Sequence, residues 1–195
     1  VEKYSRFQVE ADTLRKELNT NLGLNIEQLR FVNVYDLFGF SDELLEKSRY
    51  SVFGEVVTDA VTDECDMEGM PFLAVEFLPG QFDQRAASAV DCVHLIEPNA
   101  EVKIKSSRLY IFDKSVTAED MARIEKYLIN AVESRKKNLE VLTDVENTEI
   151  KPVAVLEGFR NMKEEDLASY CKENGLAMNA DDLREVVNYF TKEGR

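Results

Sequence analysis

The sequence has few of the residues from which catalytic and metal centres are built. It contains one histidine, His94, no tryptophan, and three scattered cysteines, Cys65, Cys92 and Cys171. The cysteines form no C-x-x-C pair and their number is odd, which disfavours both a disulfide framework and a zinc site and is typical of a reducing compartment. We therefore predict no metal site in this segment and a cytoplasmic location.

Glycine motifs that hold phosphates, of the G-x-x-x-x-G-K-[ST] or G-x-G-x-x-G kind, are also missing from the 195 residues. Cys92 and His94 stand two positions apart in a predicted helix and would point in different directions, which argues against a Cys/His dyad. Cys65 lies between Glu64 and Asp66, whose charges disfavour a reactive thiolate. The sequence thus predicts no catalytic residue and no cofactor site.

Positive charge is scarce, since 38 acidic residues outnumber 24 basic ones and the formal net charge is -14. Such a surface repels nucleic-acid phosphates and anionic membranes, so we predict neither as a partner. No apolar run approaches the roughly 18 residues that span a bilayer. The opening residues, Val1-Glu2-Lys3, read as the end of a strand, and we expect the natural N-terminus to lie further upstream.

What is present is a repeated pattern. Two stretches of about 70 residues share the order strand, helix, strand, helix, strand, judged by apolar spacing. In each half a helix start follows the long strand, at Ser41 in the first and at Thr117 in the second. The predicted elements are helices at 7–22, 41–52, 82–96 and from 117, and strands at 29–38, 55–61, 72–78 and 103–112.

This pattern predicts an α+β fold for residues 1–139, made of two duplicated α/β units with helices on one sheet face. Within the strand at 103–112, the apolar positions change parity between Ile104 and Leu109. A change of parity inside a strand predicts a β-bulge, which we place near Ser106-Ser107.

Residues 140–195 differ from the rest and are predicted to be a linker region. Positions 140–152 are polar and acidic and read as a linker or a loosely held strand. Two short helices are predicted, at 163–173 with Cys171 in its core face, and from a cap at Asn179 to about 193. Two short helices bury little by themselves, so we expect their apolar faces to contact a neighbour.

One segment, residues 78–89, is unusually rich in directional polar groups. A tight turn at Pro79-Gly80 precedes Gln81, Asp83, Gln84 and Arg85, and small residues open the following helix. Two interpretations are open. Asp83 can cap an ordinary strand-to-helix turn, or the polar side chains can form a docking surface.

The same segment carries a resemblance to a known family. Residues 77–86, F-L-P-G-Q-F-D-Q-R-A, resemble the L-P-G-Q-F-D-Q-R-A signature of the large, single-chain phosphoribosylformylglycinamidine synthases. Residues 127–135, Y-L-I-N-A-V-E-S-R, resemble that family's Y-L-I-N-P-V-E-S-R element, with Ala131 in place of the proline. Residues 9–11, 22–24 and 34–36 resemble its opening helix and strand, and G-L-A-M at 175–178 resembles the segment before its catalytic core.

The resemblance covers almost the whole chain and implies a role for a longer protein. That enzyme is a glutamine-dependent carbon–nitrogen ligase of de novo purine biosynthesis, which converts formylglycinamide ribonucleotide to its amidine with ATP, Mg²⁺ and ammonia from glutamine. Its N-terminal domain is similar to a dimer of the small separate subunit of split enzymes, with an antiparallel sheet, and a helical linker domain follows. The resemblance implies that this segment is non-catalytic, holds no cofactor, and contacts the synthetase and glutaminase domains of the same chain.

On this basis we expect an interdomain docking surface made by two groups of residues, Gln81, Asp83, Gln84 and Arg85 in the first motif and Asn130, Glu133 and Arg135 in the second. A hypothesis from another class is a free-standing α/β module that dimerises or senses a small metabolite. The apolar faces of the two terminal helices favour the first hypothesis, because they require a neighbouring surface.

Overall fold

The computed structural model describes residues 1–67, 69–142, 153 and 155–194. The chain divides into two compact units, Val1–Thr148 and Glu149–Arg195. The division falls among residues 143–152, outside the described part, so the boundary predicted after residue 139 stays a prediction. Most of the linker or strand predicted at 140–152 also lies outside the described residues.

The first unit contains four α-helices, one 3₁₀ turn, one π-helical turn and six strands among its described residues. The helices are α1 (Val9–Leu22), α2 (Asp42–Ser48), α3 (Gln84–Ile96) and α4 (Ala118–Leu128). The strands are β1 (Glu2–Lys3), β2 (Leu29–Phe38), β3 (Asp59–Ala60), β4 (Phe72–Phe77), β5 (Lys103–Phe112) and β6 (Ser134–Lys136).

The strands form one antiparallel sheet in the order β3-β1-β2-β5-β4-β6, which confirms the α+β prediction. The two halves occupy this sheet in mirrored order, since β1, β2 and β3 hold the same relative places as β4, β5 and β6. The central pair, β2 and β5, stays in register over ten residues, from Leu29↔Phe112 to Phe38↔Lys103. That the two halves superpose as similar units stays a prediction.

All four helices of this unit pack on one face of the sheet. On β2, Leu29 and Phe31 pack with α1 and α4, whereas Tyr35 and Leu37 pack with the α2–α3 side. These positions alternate along the strand and therefore share a face. Each buried side chain of this size stabilises the fold by roughly 1.5–3 kcal/mol.

The opposite face carries a smaller apolar cluster. Val32, Ala74, Leu109 and Ile111 are buried there, covered by Cys65, Met67, Met70 and Leu139 from segments outside the helices. Both faces of the sheet are therefore apolar near the end of β5.

This double burial explains why the predicted bulge near Ser106-Ser107 is wrong. β5 pairs residue for residue with β2, through Tyr35↔Ser106 and Val34↔Ser107, and with β4. The apolar parity changes because Leu109 enters the helix-free cluster while Ile104 enters the helix-bearing one. The backbone itself continues without an extra residue.

Two elements in the first half differ in form from the prediction. The helix predicted to reach Val52 is α-helical to Ser48 and continues as a π-helical turn, Arg49–Phe53, where Phe53 packs 5.0 Å from the Tyr35 ring. The strand predicted at 55–61 is reduced to Asp59–Ala60, because the chain turns before it. Thr58 N and Asp59 N both donate to the Glu55 carbonyl, and Glu55 N donates to Asp59 Oδ2 at 2.9 Å.

The second unit contains α5 (Leu167–Glu173) and α6 (Ala180–Glu193). Its core is Leu167, Cys171, Leu183 and Val187, so Cys171 is a core residue as predicted. Asp182 N donates to Asn179 Oδ1 at 2.9 Å, which confirms the predicted cap of α6. The helix predicted at 163–173 begins with a 3₁₀ turn, Glu164–Asp166, before α5. No helix among the described residues is both long and apolar enough to span a bilayer.

Candidate functional site

The two segments singled out by the family motifs lie side by side. β4 and β6 pair at Phe77↔Ser134, and beyond this pair Leu78 N donates to Glu133 O at 2.8 Å. Gln81 Nε2 then donates to Val132 O at 3.3 Å, although the two residues are 51 positions apart. The structure thus joins residues 78–85 and 130–135 into one surface, which we name the turn pair.

Asp83 is the most constrained residue of the turn pair. One carboxylate oxygen accepts a hydrogen bond from Ala86 N at 2.9 Å and caps α3, as predicted. The same carboxylate accepts two more bonds from Ser106, one from its backbone N at 2.8 Å and one from its hydroxyl at 2.9 Å. Asp83 therefore ties the start of α3 to β5.

Gln84 and Arg85 occupy the first turn of α3, and both are exposed. Arg85 Nη1 lies 3.4 Å from the Tyr35 hydroxyl, a long contact with a neutral partner. Gln84 has no side-chain hydrogen bond within the described part of the chain. Both side chains border a cleft between α3 and the sheet.

On the other side of the turn pair, Asn130 and Arg135 are held by internal bonds. Asn130 Oδ1 accepts from Val132 N at 3.1 Å, and Asn130 O accepts from Ser134 N at 2.8 Å. Arg135 Nε donates to Glu76 Oε1 at 2.7 Å on the adjacent strand. Among the described residues, the Glu133 side chain has no bonding partner, and it is exposed.

The predicted docking residues therefore fall into two groups. In the first group, the polar atoms of Asp83, Asn130 and Arg135 form hydrogen bonds within the first unit. The capping interpretation therefore accounts for Asp83. Gln84 and Glu133 remain available at the surface, and Gln81 and Arg85 each make one long contact. That these residues dock another domain stays a prediction.

The helix predicted at 82–96 begins with Phe82, and this start is wrong. The helix starts at Gln84 behind the Asp83 cap, so Phe82 precedes it and its side chain is 75% exposed. Val132 is 79% exposed across the turn pair, and Phe77 is also exposed. The signal available in the sequence was Asp83 itself, because a residue before an N-cap lies outside the helix.

The cleft beside the turn pair has a volume of about 630 Å³. Tyr35, Ser106, Arg108 and Tyr110 form its floor on the two central strands, and one face of α3 forms a wall. Further lining residues include Phe77, Phe82, Gln84, Arg85, Ser88, Cys92 and Glu133. The central strands are thus polar in the middle of the sheet, between the two apolar helix-facing clusters.

Two groups near the cleft have unusual electrostatic surroundings, Tyr110 on its floor and an ion group on the opposite face of the sheet. Burial raises the pKa of Tyr110, and Arg108 beside it acts in the opposite direction. On the helix-free face, the Lys137 ammonium forms an ion pair with Asp36 and lies 3.6 Å from Glu76 Oε2. Lys137 is only 8% exposed, so this group is largely removed from water.

The remaining chemistry-bearing side chains are dispersed. His94 Nε2 lies 3.1 Å from Ala100 O at the end of α3, and within residues 1–67, 69–142, 153 and 155–194 no three His, Cys, Asp or Glu side chains are placed to hold a metal ion. The resemblance to phosphoribosylformylglycinamidine synthases rests on the motifs quoted above. No protein-family model matches this chain, and no curated protein gives a significant match to it.

Proposed function

We propose that this chain is the N-terminal, non-catalytic region of a phosphoribosylformylglycinamidine synthase. In this role it braces the synthetase and glutaminase domains of the same chain and couples glutamine hydrolysis to amidine formation. ATP and Mg²⁺ belong to the synthetase domain and not to this segment. The observation that carries the proposal is the turn pair, where the two longest motif matches meet although they lie far apart in the sequence.

The surface of the turn pair supports a docking role. Phe82 and Val132 expose most of their side chains, and they stand on two turns that Gln81 connects through its bond to Val132 O. Exposed apolar groups with polar neighbours are typical of protein contact surfaces, which have an apolar centre and a polar rim. Gln84 and Glu133 supply that rim.

The rigidity of the turn pair supports the same role. Asp83 and Asn130 fix their own turns through side-chain bonds to the backbone, so the exposed groups are held in place before any partner arrives. A preorganised surface loses less conformational entropy on docking. It therefore suits a bracing element better than a mobile loop would.

The test is a substitution in the full-length enzyme that removes one apolar contact from the turn pair. Phe82→Ala should lower glutamine-dependent amidine formation by roughly fivefold or more, the size of a contact worth about 1 kcal/mol or more. Ammonia-dependent formation should stay within about twofold, because the synthetase chemistry itself is not altered.

Leu95→Ala is the matched control, since Leu95 is 85% exposed on α3 and lies away from the turn pair. It should leave both activities unchanged. A full-length protein that forms no amidine from either nitrogen source would refute the proposed enzyme. An active enzyme in which Phe82→Ala and Leu95→Ala behave alike would refute the docking role of the turn pair.

A further inference from the structure

The cleft between α3 and the central strands contains two arginines that lack carboxylate partners. Elsewhere in the first unit, five arginines are ion-paired, namely Arg15, Arg30, Arg49, Arg123 and Arg135, and Arg6 lies against the Phe7 ring. Among the described residues, no carboxylate lies within ion-pair distance of Arg85 or Arg108. In a chain with 38 acidic residues, two uncompensated guanidinium groups in one cleft indicate a site for an anion.

Neutral hydroxyl groups hold these arginines in the cleft. Arg85 Nη1 lies 3.4 Å from the Tyr35 hydroxyl, and Tyr35 pairs with Ser106 across the floor. Arg108 follows Ser106 by two positions on β5 and therefore lies on the same face of the sheet, beside Tyr110. Both positive charges thus face one space, Arg85 from the wall at α3 and Arg108 from the floor at β5.

We propose that this cleft binds the phosphate group of a small phosphorylated molecule, with Arg85 and Arg108 as its charged ligands. The planar guanidinium group donates two parallel hydrogen bonds to phosphate oxygens, and two such groups balance a phosphate dianion. Ser88 lies three positions after Arg85 on the same face of α3 and offers a hydroxyl donor.

The size and composition of the cleft favour a phosphate ester over the free ion. About 630 Å³ lies within the roughly 300–1,000 Å³ range of small-molecule sites and leaves room for an organic group. Phe77 provides apolar surface at the mouth for that group.

The acidic residues near the cleft do not cancel this basic character. Glu76 is already paired with Arg135 and with Lys137, which leaves Glu133 at the rim and Glu10 of α1, whose charge acts on Tyr110. The basic character is also specific to this half of the chain. α1 and α3 are the first helices of the two halves, and their second residues are Glu10 and Arg85, respectively.

The proposal does not depend on the proposed enzyme and is tested on the chain itself. Calorimetric titrations with inorganic phosphate, ribose 5-phosphate and unphosphorylated ribose are made at constant ionic strength. Ribose 5-phosphate should bind, ribose should not, and inorganic phosphate should bind more weakly than the ester. Absence of binding by both phosphate probes, or equal binding of ribose, overturns the proposal.

Two substitutions, Arg85→Met and Arg108→Met, locate the binding site. Each should lower the affinity for ribose 5-phosphate by about tenfold or more. Arg15→Met removes the same charge from α1, outside the cleft, and should leave the affinity unchanged. Ser88→Glu places a carboxylate in the cleft with both arginines intact and should abolish binding. Equal weakening by Arg15→Met would show a general charge effect and overturn the site.

Cys92 gives a second readout of position, because it lines the same wall and is exposed. Saturating ribose 5-phosphate should slow alkylation of Cys92, measured by mass spectrometry of its peptide, and Arg85→Met should remove the protection. Alkylation at an unchanged rate in the saturated protein would place the ligand elsewhere.

Discussion

Asp83 and Ser106 are joined by two hydrogen bonds, from the Ser106 backbone nitrogen at 2.8 Å and from its hydroxyl at 2.9 Å, across 23 positions of sequence. The same carboxylate caps α3. One side chain therefore satisfies a helix start and a strand N–H together, and it holds the wall of the cleft against its floor.

Removal of this carboxylate should destabilise the first unit. We expect Asp83→Ala to lower the free energy of unfolding by about 2–4 kcal/mol, because a helix cap is lost and Ser106 N loses its acceptor. Urea unfolding followed by far-UV circular dichroism measures the change. Asp83→Asn keeps an acceptor for the cap and should cost less, and a loss below about 0.5 kcal/mol for Asp83→Ala would contradict this account.

Arg85, two positions further on, should contribute little to the stability of the chain. Its side chain is exposed and its contact with the Tyr35 hydroxyl is long. Arg85→Ala should therefore change the free energy of unfolding by less than about 0.5 kcal/mol in the same urea experiment. A loss as large as that of Asp83→Ala would show that Arg85 is a structural residue.

The neighbouring lysines Lys136 and Lys137 should contribute very different amounts to the free energy of unfolding. Lys137→Met leaves Asp36 without its cation in a largely buried place, while Glu76 keeps its pair with Arg135, and the loss should cost about 3–5 kcal/mol. Lys136→Met breaks only an exposed pair with Glu125 and should cost at most about 1 kcal/mol. Denaturant unfolding of the two variants side by side decides the question, and equal losses would contradict the assigned burial.

Asp113 should make stability depend on pH in acid. Burial raises the pKa of Asp113, but hydrogen bonds from Gln28 N, from Ser115 and from Glu27 N outweigh it and lower the pKa from 3.8 to about 2. Because the folded-state pKa lies below the unfolded one, the charged form stabilises the fold above about pH 4. That contribution, about 2 kcal/mol, is lost as the pH falls to about 2.

The measurement compares the free energies of unfolding of the unmodified chain and of Asp113→Asn from about pH 5 to about pH 2. This range brackets the protonation of Asp113. The difference between the two proteins should shrink as the pH falls through this window. A constant difference for Asp113→Asn would contradict the shifted pKa.

Elements with a strong local signal were predictable from the sequence. Apolar spacing gave α1 and α3, and cap residues such as Ser41 and Asn179 marked helix starts where the structure has them. The change of apolar parity in β5 led to a wrong prediction of a bulge. Strict alternation is expected for a strand with one buried face, whereas β5 is buried on both faces. The length of β3 was overestimated. The turn before it is closed by a side-chain hydrogen bond to Asp59, which β-propensity does not predict.

The candidate site was predictable only in part. The motifs drew attention to residues 81–85 and 130–135, but their contact depends on the pairing of β4 with β6, which local patterns do not specify. Arg108 gave no signal, because a single arginine in a strand is ordinary until the fold places it opposite Arg85. The exposure of Phe82 followed from the cap at Asp83, a boundary of one or two residues that periodicity does not define.

The mirrored strand order has a consequence for how this surface can vary. In a symmetric dimer of identical chains, every substitution occurs twice, at two related positions. Here both halves belong to one chain, so a change in one half leaves its counterpart intact. Helix α3 has an aspartate cap whereas Gln8 before α1 makes no capping bond, and a single protein thereby presents two different helix starts on one sheet of mirrored strand order.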